Sequence, residues 1–306
     1  MDFEFLKSEK FGKYLLYFLN LALFVALLVY ATKYYSTIVY TFSSVNLFYL
    51  GLAFVILLFI WYISGFKWYM LMKIFNKEIH FTRFLMIFLA SNLYKYIPPK
   101  GVNYLMRYKF CKKFNRHLDG KISTMFAEFF SELYIAAVCF LILMVLIVDY
   151  NIWALVIAIL ALTGMTLFMF FPKLFSFIPF RFVKKLIFQF RKIRGTKAFY
   201  YSFLVTFFVA LFHGLGFYLV ILGFGSSISF VVALFIFYSS QFFTYLFFSP
   251  AGIGVRDVTL VGILYLLEVD PALAITIVLS HRILIFVSEL VLGVPFVIYL
   301  NRKLNS

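Results

Sequence analysis

Six runs of predominantly apolar residues, at 14–33, 46–66, 122–148, 151–171, 199–223 and 271–300, are each long enough to cross the roughly 30 Å hydrocarbon core of a bilayer. No single aqueous core can bury them. Of the 306 residues, 65% are hydrophobic and 13% charged, whereas a soluble domain runs near half and a quarter. The expectation is an all-α polytopic membrane protein, one integral membrane domain over 1–306. Its first run follows Lys7, Lys10 and Lys13, is long for a signal sequence and has no A-x-A-like site behind it, so it reads as the first span.

Two further apolar segments, which bring the total to eight, are interrupted. One, Phe84 to Ile97, stops at Pro98-Pro99-Lys100-Gly101. The other, Ser229 to Phe248, stops at Pro250-Ala251-Gly252-Ile253-Gly254 and is followed by a short apolar stretch from Val258 to Leu267.

A net charge of +16 would ordinarily suggest nucleic acid, but the cations sit in short clusters between apolar runs, the pattern of cytoplasmic loops beside an anionic leaflet. No nucleic-acid partner is expected. Segment 67–83 holds Lys67, Lys73, Lys77 and Arg83, segment 107–121 holds six cations, and loop 172–198 holds eight. Segments 35–45, 149–151, 224–228 and 268–270 hold none. All basic loops face the cytoplasm only if 84–106 enters from that side and returns. A cytoplasmic Arg302-Lys303 tail likewise requires 229–268 to enter from outside and return. The result is six full spans plus two re-entrant hairpins, with 1–150 and 151–306 as inverted halves and both termini cytoplasmic in an inner membrane. Inverted repeats with broken helices at matching positions point to a transporter-like fold with a site near the midplane.

Irregular backbone at membrane depth survives only where protein or water covers it. A half-helix begins after each break, near Val102 and near Val255, with its free N–H groups and positive dipole end toward the membrane centre. Lys95, Lys100 and Arg107 accompany the first break and Arg256 the second. Such an arrangement suits an anion, and a lipid phosphate is the expected one. The competing reading is two ordinary kinks, with Lys95 and Arg107 snorkelling to the interface.

Glu128 and Glu132 lie about 40° apart on one helical face. Intramembrane carboxylates are costly and imply function, here as counter-charges to the cations or as proton carriers; the alternative is a solvated Glu128 at a helix end. Arg282 and Glu289 share a stripe of the last span, with His281 beside Arg282, and are expected to find partners on neighbouring helices. His213 reads as a packing residue. Asn92, Asn103 and Gln241 are polar linings, and the many tyrosines belong to interfacial belts and packing.

Several chemistries are excluded by residue type. There is no G-x-x-x-x-G-K-[ST], no H-E-x-x-H, no G-x-S-x-G and no cysteine cluster. Cys111 and Cys139 are not expected to pair. Segment 35–45 has no acid of the kind a multispan glycosyltransferase would use. An enzyme is not expected, nor a cofactor or metal.

The residues around both breaks carry a family resemblance. Asn92-Leu93-Tyr94-Lys95-Tyr96-Ile97-Pro98, leading to Arg107, resembles one signature of the lysylphosphatidylglycerol synthase/flippase transmembrane family. Pro250-Ala251-Gly252-Ile253-Gly254-Val255-Arg256-Asp257 resembles its second. Glu128, Glu132 and Arg282 fall where that family has acidic and basic positions. Two features depart from the pattern: Pro-Pro-Lys-Gly stands where Pro-Gly is usual, and Asp257 where Glu is. The resemblance spans about residues 10–300, without the soluble aminoacyl-transferring domain, and implies binding or movement of a polar lipid.

The expected function is therefore to bind and translocate an anionic phospholipid or polyprenyl-phosphate lipid. Lys100, Arg107, Arg256 and Arg282 would serve the headgroup, Gly252 and Gly254 would permit close backbone approach, and Glu128, Glu132, Asp257 and Glu289 would orient the cations or couple to protons. The alternative is a membrane subunit that presents lipid-linked substrate to a partner glycosyltransferase.

Overall fold

The computed structural model describes residues 35–75, 79–97, 101–114, 121–147, 196–247 and 249–305, with isolated positions between 25 and 33 and between 156 and 167. Among these residues the chain is entirely helical. Nine α-helices succeed one another: α1 (Tyr35–Ser43), α2 (Leu47–Lys73), α3 (Phe81–Asn92), α4 (Val102–Phe114), α5 (Lys121–Ile147), α6 (Lys197–Gly223), α7 (Phe230–Leu246), α8 (Val255–Leu266) and α9 (Pro271–Asn305). Two tight 3-10 turns, Leu93–Tyr96 and Pro250–Gly252, lie within the two interrupted segments.

Four helices, α2, α5, α6 and α9, contain apolar stretches long enough to cross a membrane: Leu47–Lys73, Thr124–Met144, Phe199–Gly223 and Pro271–Leu300. They answer to the runs expected at 46–66, 122–148, 199–223 and 271–300. The runs at 14–33 and 151–171 and the eight-cation loop lie largely outside the described residues. Two boundaries differ from expectation. Residues 35–43, read as a bare outer loop, are helical. Helix α2 continues past residue 66 to Lys73, because Gly65-Phe66-Lys67-Trp68-Tyr69-Met70-Leu71-Met72 stays apolar around one lysine; Lys67 and Lys73 are therefore helical residues, not loop residues.

Helix starts are set by short polar side chains that take up otherwise unpaired N–H groups. Asn46 accepts from the Phe48 N–H at 3.0 Å, Thr196 from Phe199 at 3.3 Å and Ser229 from Val232 at 3.4 Å. Asp270 accepts from Ala272 at 2.9 Å and Leu273 at 3.1 Å, with Pro271 at the first position of α9, where its missing N–H costs nothing.

Helix α2 packs along α6, and the Asn46 N–H donates to Gly223 O at 2.9 Å, so the start of one meets the end of the other. Helix α7 lies against α5 and α6, while α3 is held between α2 and α9. With no hydrophobic force between helices in lipid, close approach depends on small residues. A Cβ on Gly214 would stand 2.4 Å from Leu234 Cδ1 and 3.0 Å from its Cα. One on Gly293 would stand 2.8 Å from Leu93 Cγ and 3.0 Å from Leu89 O. These glycines seat α7 on α6, and α3 with its turn on α9.

The interrupted segments form two pairs of short helices, α3 with α4 and α7 with α8. Helices of 12 and 13 residues, as α3, α8 and α4 are, reach only about 18–20 Å. None of the three spans a bilayer alone. The two 3-10 turns touch each other, which brings both breaks to one place inside the helical assembly.

Candidate functional site: a charged cavity where the two breaks meet

The second break is built from backbone that few residues adopt. Ala251 has φ +49°, Gly252 φ +74° and Gly254 φ +80°. Glycine tolerates this at positions 252 and 254, and at 252 it also leaves room: a Cβ would sit 3.0 Å from Arg256 Cβ and 3.3 Å from Thr244 Oγ1. The Ile253 N–H donates to Pro250 O at 2.9 Å, and the Ser249 hydroxyl donates to Ile253 O at 2.8 Å. The turn then feeds α8, whose first residues are Val255, Arg256 and Asp257. Asp257 folds back as a cap, its Oδ2 accepting from the Gly254 N–H at 3.2 Å. The same oxygen accepts from the Arg282 guanidinium on α9.

The first break is anchored by Arg107 of α4, which is 1% exposed. Its guanidinium donates through Nη1 to Glu128 Oε2 at 2.5 Å, through Nη2 to Asn92 Oδ1 at 3.0 Å and through Nε to Ser91 Oγ at 3.1 Å. Its guanidinium carbon lies 4.4 Å from the Phe88 ring centre and 5.0 Å from that of Trp68. Arg107 thus ties α4 to α3 and α5. Lys95, in the 3-10 turn, donates to Glu289 Oε1 on α9 and stands 4.8 Å over the Trp61 ring. Trp61 is itself fixed by its Nε1–H, which donates to Ser288 Oγ at 3.0 Å.

Glu132, one turn after Glu128, takes a different cation. Its Oε1 accepts from Lys67 Nζ of α2 at 2.8 Å, and its Oε2 accepts from the Tyr245 hydroxyl of α7 at 2.9 Å. Neighbouring carboxylates coexist on α5 because each has its own counter-charge.

Between these groups lies a cavity of about 190 Å³. Its lining includes Lys95, Arg107, Glu128, Glu132 and Arg256, with aromatic rings such as Trp61 and Tyr245. Asn92, Asn103, Gln241 and His213 also line it, as does Gly252. Glu289 stands behind the lining, paired with Lys95, and Asp257 and Arg282 lie outside the lining, paired with each other. His281 is buried against Phe217 and Phe237, and His213 stacks on Phe237 at 5.3 Å. Lys100, expected at the headgroup, lies outside the described residues.

The ion pairs divide the charge unequally. Lys67, Lys95, Arg107 and Arg282 are matched one to one by Glu132, Glu289, Glu128 and Asp257. Arg256 is not matched. It is 7% exposed, its Nε is buried without a hydrogen-bond partner, and among the described residues no carboxylate pairs with it. A buried guanidinium held this way leaves its donors for something that enters the cavity.

Sequence reasoning missed Lys67 and Tyr245. Lys67 was counted with the loop cations although it is completely buried in α2; the available signal was the apolar sequence that continues for several residues beyond it. Tyr245 is one of 22 tyrosines, and nothing local distinguishes it. Among the described residues, no group of three or more His, Cys, Asp or Glu side chains converges as a metal site.

Comparison with known families matches residues 16–293 to the family described as Lysylphosphatidylglycerol synthase TM region. Comparison with curated proteins found no match.

Proposed function

We propose a specific lipid-binding role from one premise: the chain belongs to the lysylphosphatidylglycerol synthase TM region family, and so is a multi-pass membrane protein linked to lipid handling. In this reading the cavity between the two breaks receives the phosphate of an anionic lipid, and the protein carries that headgroup across the membrane without chemical change. The observation that carries the reading is Arg256, a buried cation without a counter-ion among the described residues, at the start of a half-helix and facing a cavity large enough for a small headgroup. The backbone N–H groups at the start of α8 and its positive dipole end add to the attraction for an anion.

The remaining ion pairs have a supporting task. Four ion pairs, each with at least one buried partner, hold α2, α4, α5, α8, α9 and the first break in register around the cavity. Arg107 has its donors engaged by Glu128, Asn92 and Ser91, so it shapes the wall, while Arg256 meets the ligand. The paired short helices are read as hairpins that enter from opposite faces, the first from the cytoplasm and the second from outside, within a cell membrane.

The test is reconstitution into liposomes carrying fluorescent phosphatidylglycerol, an anionic phospholipid, with quenching from one leaflet. Wild-type protein is expected to exchange the lipid, and Arg256→Ala, equally well inserted and folded, to lose exchange. Folded wild-type protein that moves no anionic lipid would favour a subunit that presents lipid-linked substrate to a partner enzyme.

A further inference from the structure

The charge at the cavity is close to balanced, and the residue that sets the balance is identifiable. Counting the charged lining residues and the residues they pair with, among the described residues, gives four cations (Lys67, Lys95, Arg107 and Arg256) against three carboxylates (Glu128, Glu132 and Glu289); the Arg282–Asp257 pair behind them is neutral. The excess is one positive charge, on Arg256. Glu289, Asp257 and Arg282 all lie within electrostatic reach of it. Glu289 Oε2 and Asp257 Oδ1 are buried without hydrogen-bond partners, so two unsatisfied acceptors already stand near that cation.

We infer that Glu289 limits the cavity to headgroups with a single negative charge, phosphodiesters rather than phosphomonoesters or diphosphates. This deepens the reading of the cavity as a lipid-phosphate site and rests on it. A phosphodiester brings one charge and Arg256 neutralises it. A phosphomonoester carries about −1.5 to −2 near neutral pH, and the second charge needs a second free cation. Of the other cations in the lining, Arg107 has its donors engaged by Glu128, Asn92 and Ser91, and Lys95, from the other break, is neutralised by Glu289. An uncompensated charge in a site of low dielectric is strongly disfavoured. Glu289 therefore determines specificity without touching the ligand: it withholds Lys95.

The test is equilibrium binding by the full chain, purified in a neutral detergent, at about pH 8, where the monoester is close to doubly charged. The probes are phosphatidylglycerol and phosphatidic acid of equal chain length, each competing with a fluorescent phosphatidylglycerol. Wild type is expected to bind phosphatidylglycerol at least about tenfold more tightly than phosphatidic acid. Glu289→Gln frees Lys95 and is expected to bring phosphatidic acid level with phosphatidylglycerol or ahead of it. The double variant Lys95→Gln/Glu289→Gln restores the single excess charge and is expected to recover the wild-type preference. Gln241→Lys, which adds a cation to the lining without breaking a pair, is expected to act like Glu289→Gln and serves if that variant does not fold. Wild type that binds both lipids equally, or a preference unchanged in both Glu289→Gln and Gln241→Lys, would overturn the inference while the lipid-phosphate reading stands. Wild type that binds neither lipid would overturn both. Soluble glycerophosphoglycerol, which has the same phosphodiester without acyl chains, distinguishes a lipid ligand from a free solute; binding as tight as that of the lipid would overturn the assignment to lipid.

Discussion

At the scale of single residues, two arginines of similar burial have opposite situations. Arg107 is surrounded by acceptors and aromatic faces, and its loss leaves Glu128 as an uncompensated charge. Arg256 has no counter-ion among the described residues, and its loss leaves no carboxylate unpaired. Breaking a buried pair by removing one partner typically costs about 3–5 kcal/mol. Arg107→Ala is therefore expected to lower thermal stability in detergent by several degrees or to prevent folding. Arg256→Ala is expected to melt close to wild type, and to lose lipid binding. Melting curves recorded by circular dichroism check both, and a reversed order would contradict the division of roles. Part of this was legible in sequence: Glu128, Glu132, Arg282 and Glu289 stand out because charges in apolar runs are rare. Their partners were not, since the choice of Arg107 for Glu128 and Lys67 for Glu132 depends on how α4 and α2 approach α5 from different sides.

At the scale of elements, the breaks were readable because Pro and Gly leave few alternatives. Pro250 and the two glycines after it predicted an interruption, and the positive φ at 252 and 254 is the physical reason those residues stand there. Helix ends were less legible: α2 overran its expected end because its single buried lysine resembled the start of a basic loop. Two variants test what the elements require. Gly254→Ala places a side chain at φ +80° and is expected to cost about 1–3 kcal/mol, destabilising the turn that presents Arg256. Gly293→Val inserts bulk against Leu93 and Leu89 O, where overpacking costs about 1–3 kcal/mol, and is expected to push α3 and its turn off α9. Both are read as a fall in thermal stability together with weaker lipid binding; unchanged melting would show that the positive φ at 254, or the close contact at 293, is not needed.

At the scale of the whole molecule, two short-helix pairs arrive at one place from separate parts of the chain, each held by charged contacts to α5 and α9. Lys95 of the first break pairs with Glu289 of α9, and Tyr245 of α7 donates to Glu132 of α5. No local pattern discloses that the breaks touch. What pointed toward it was the charge asymmetry of the loops, which is an argument about the entire chain. The inverted arrangement proposed for the two halves makes a direct prediction for sidedness. In a background with Cys111 and Cys139 replaced, single cysteines in 224–228 are expected to react with a membrane-impermeant thiol reagent on intact cells. Cysteines in 115–120 are expected to react only after permeabilisation. Labelling of both segments from the same side would contradict the opposed hairpins.

The central claim is that a lipid phosphate sits on Arg256 in the cavity between the breaks. Solid-state NMR measures this contact through the dipolar coupling between the lipid phosphorus and the carbon of a labelled arginine guanidinium, with Arg256→Lys identifying the signal. Phosphorus is expected within hydrogen-bonding reach of the Arg256 guanidinium, with no comparable coupling to Arg107 or Arg282. Strong coupling at Arg107 or Arg282 with none at Arg256 would contradict it.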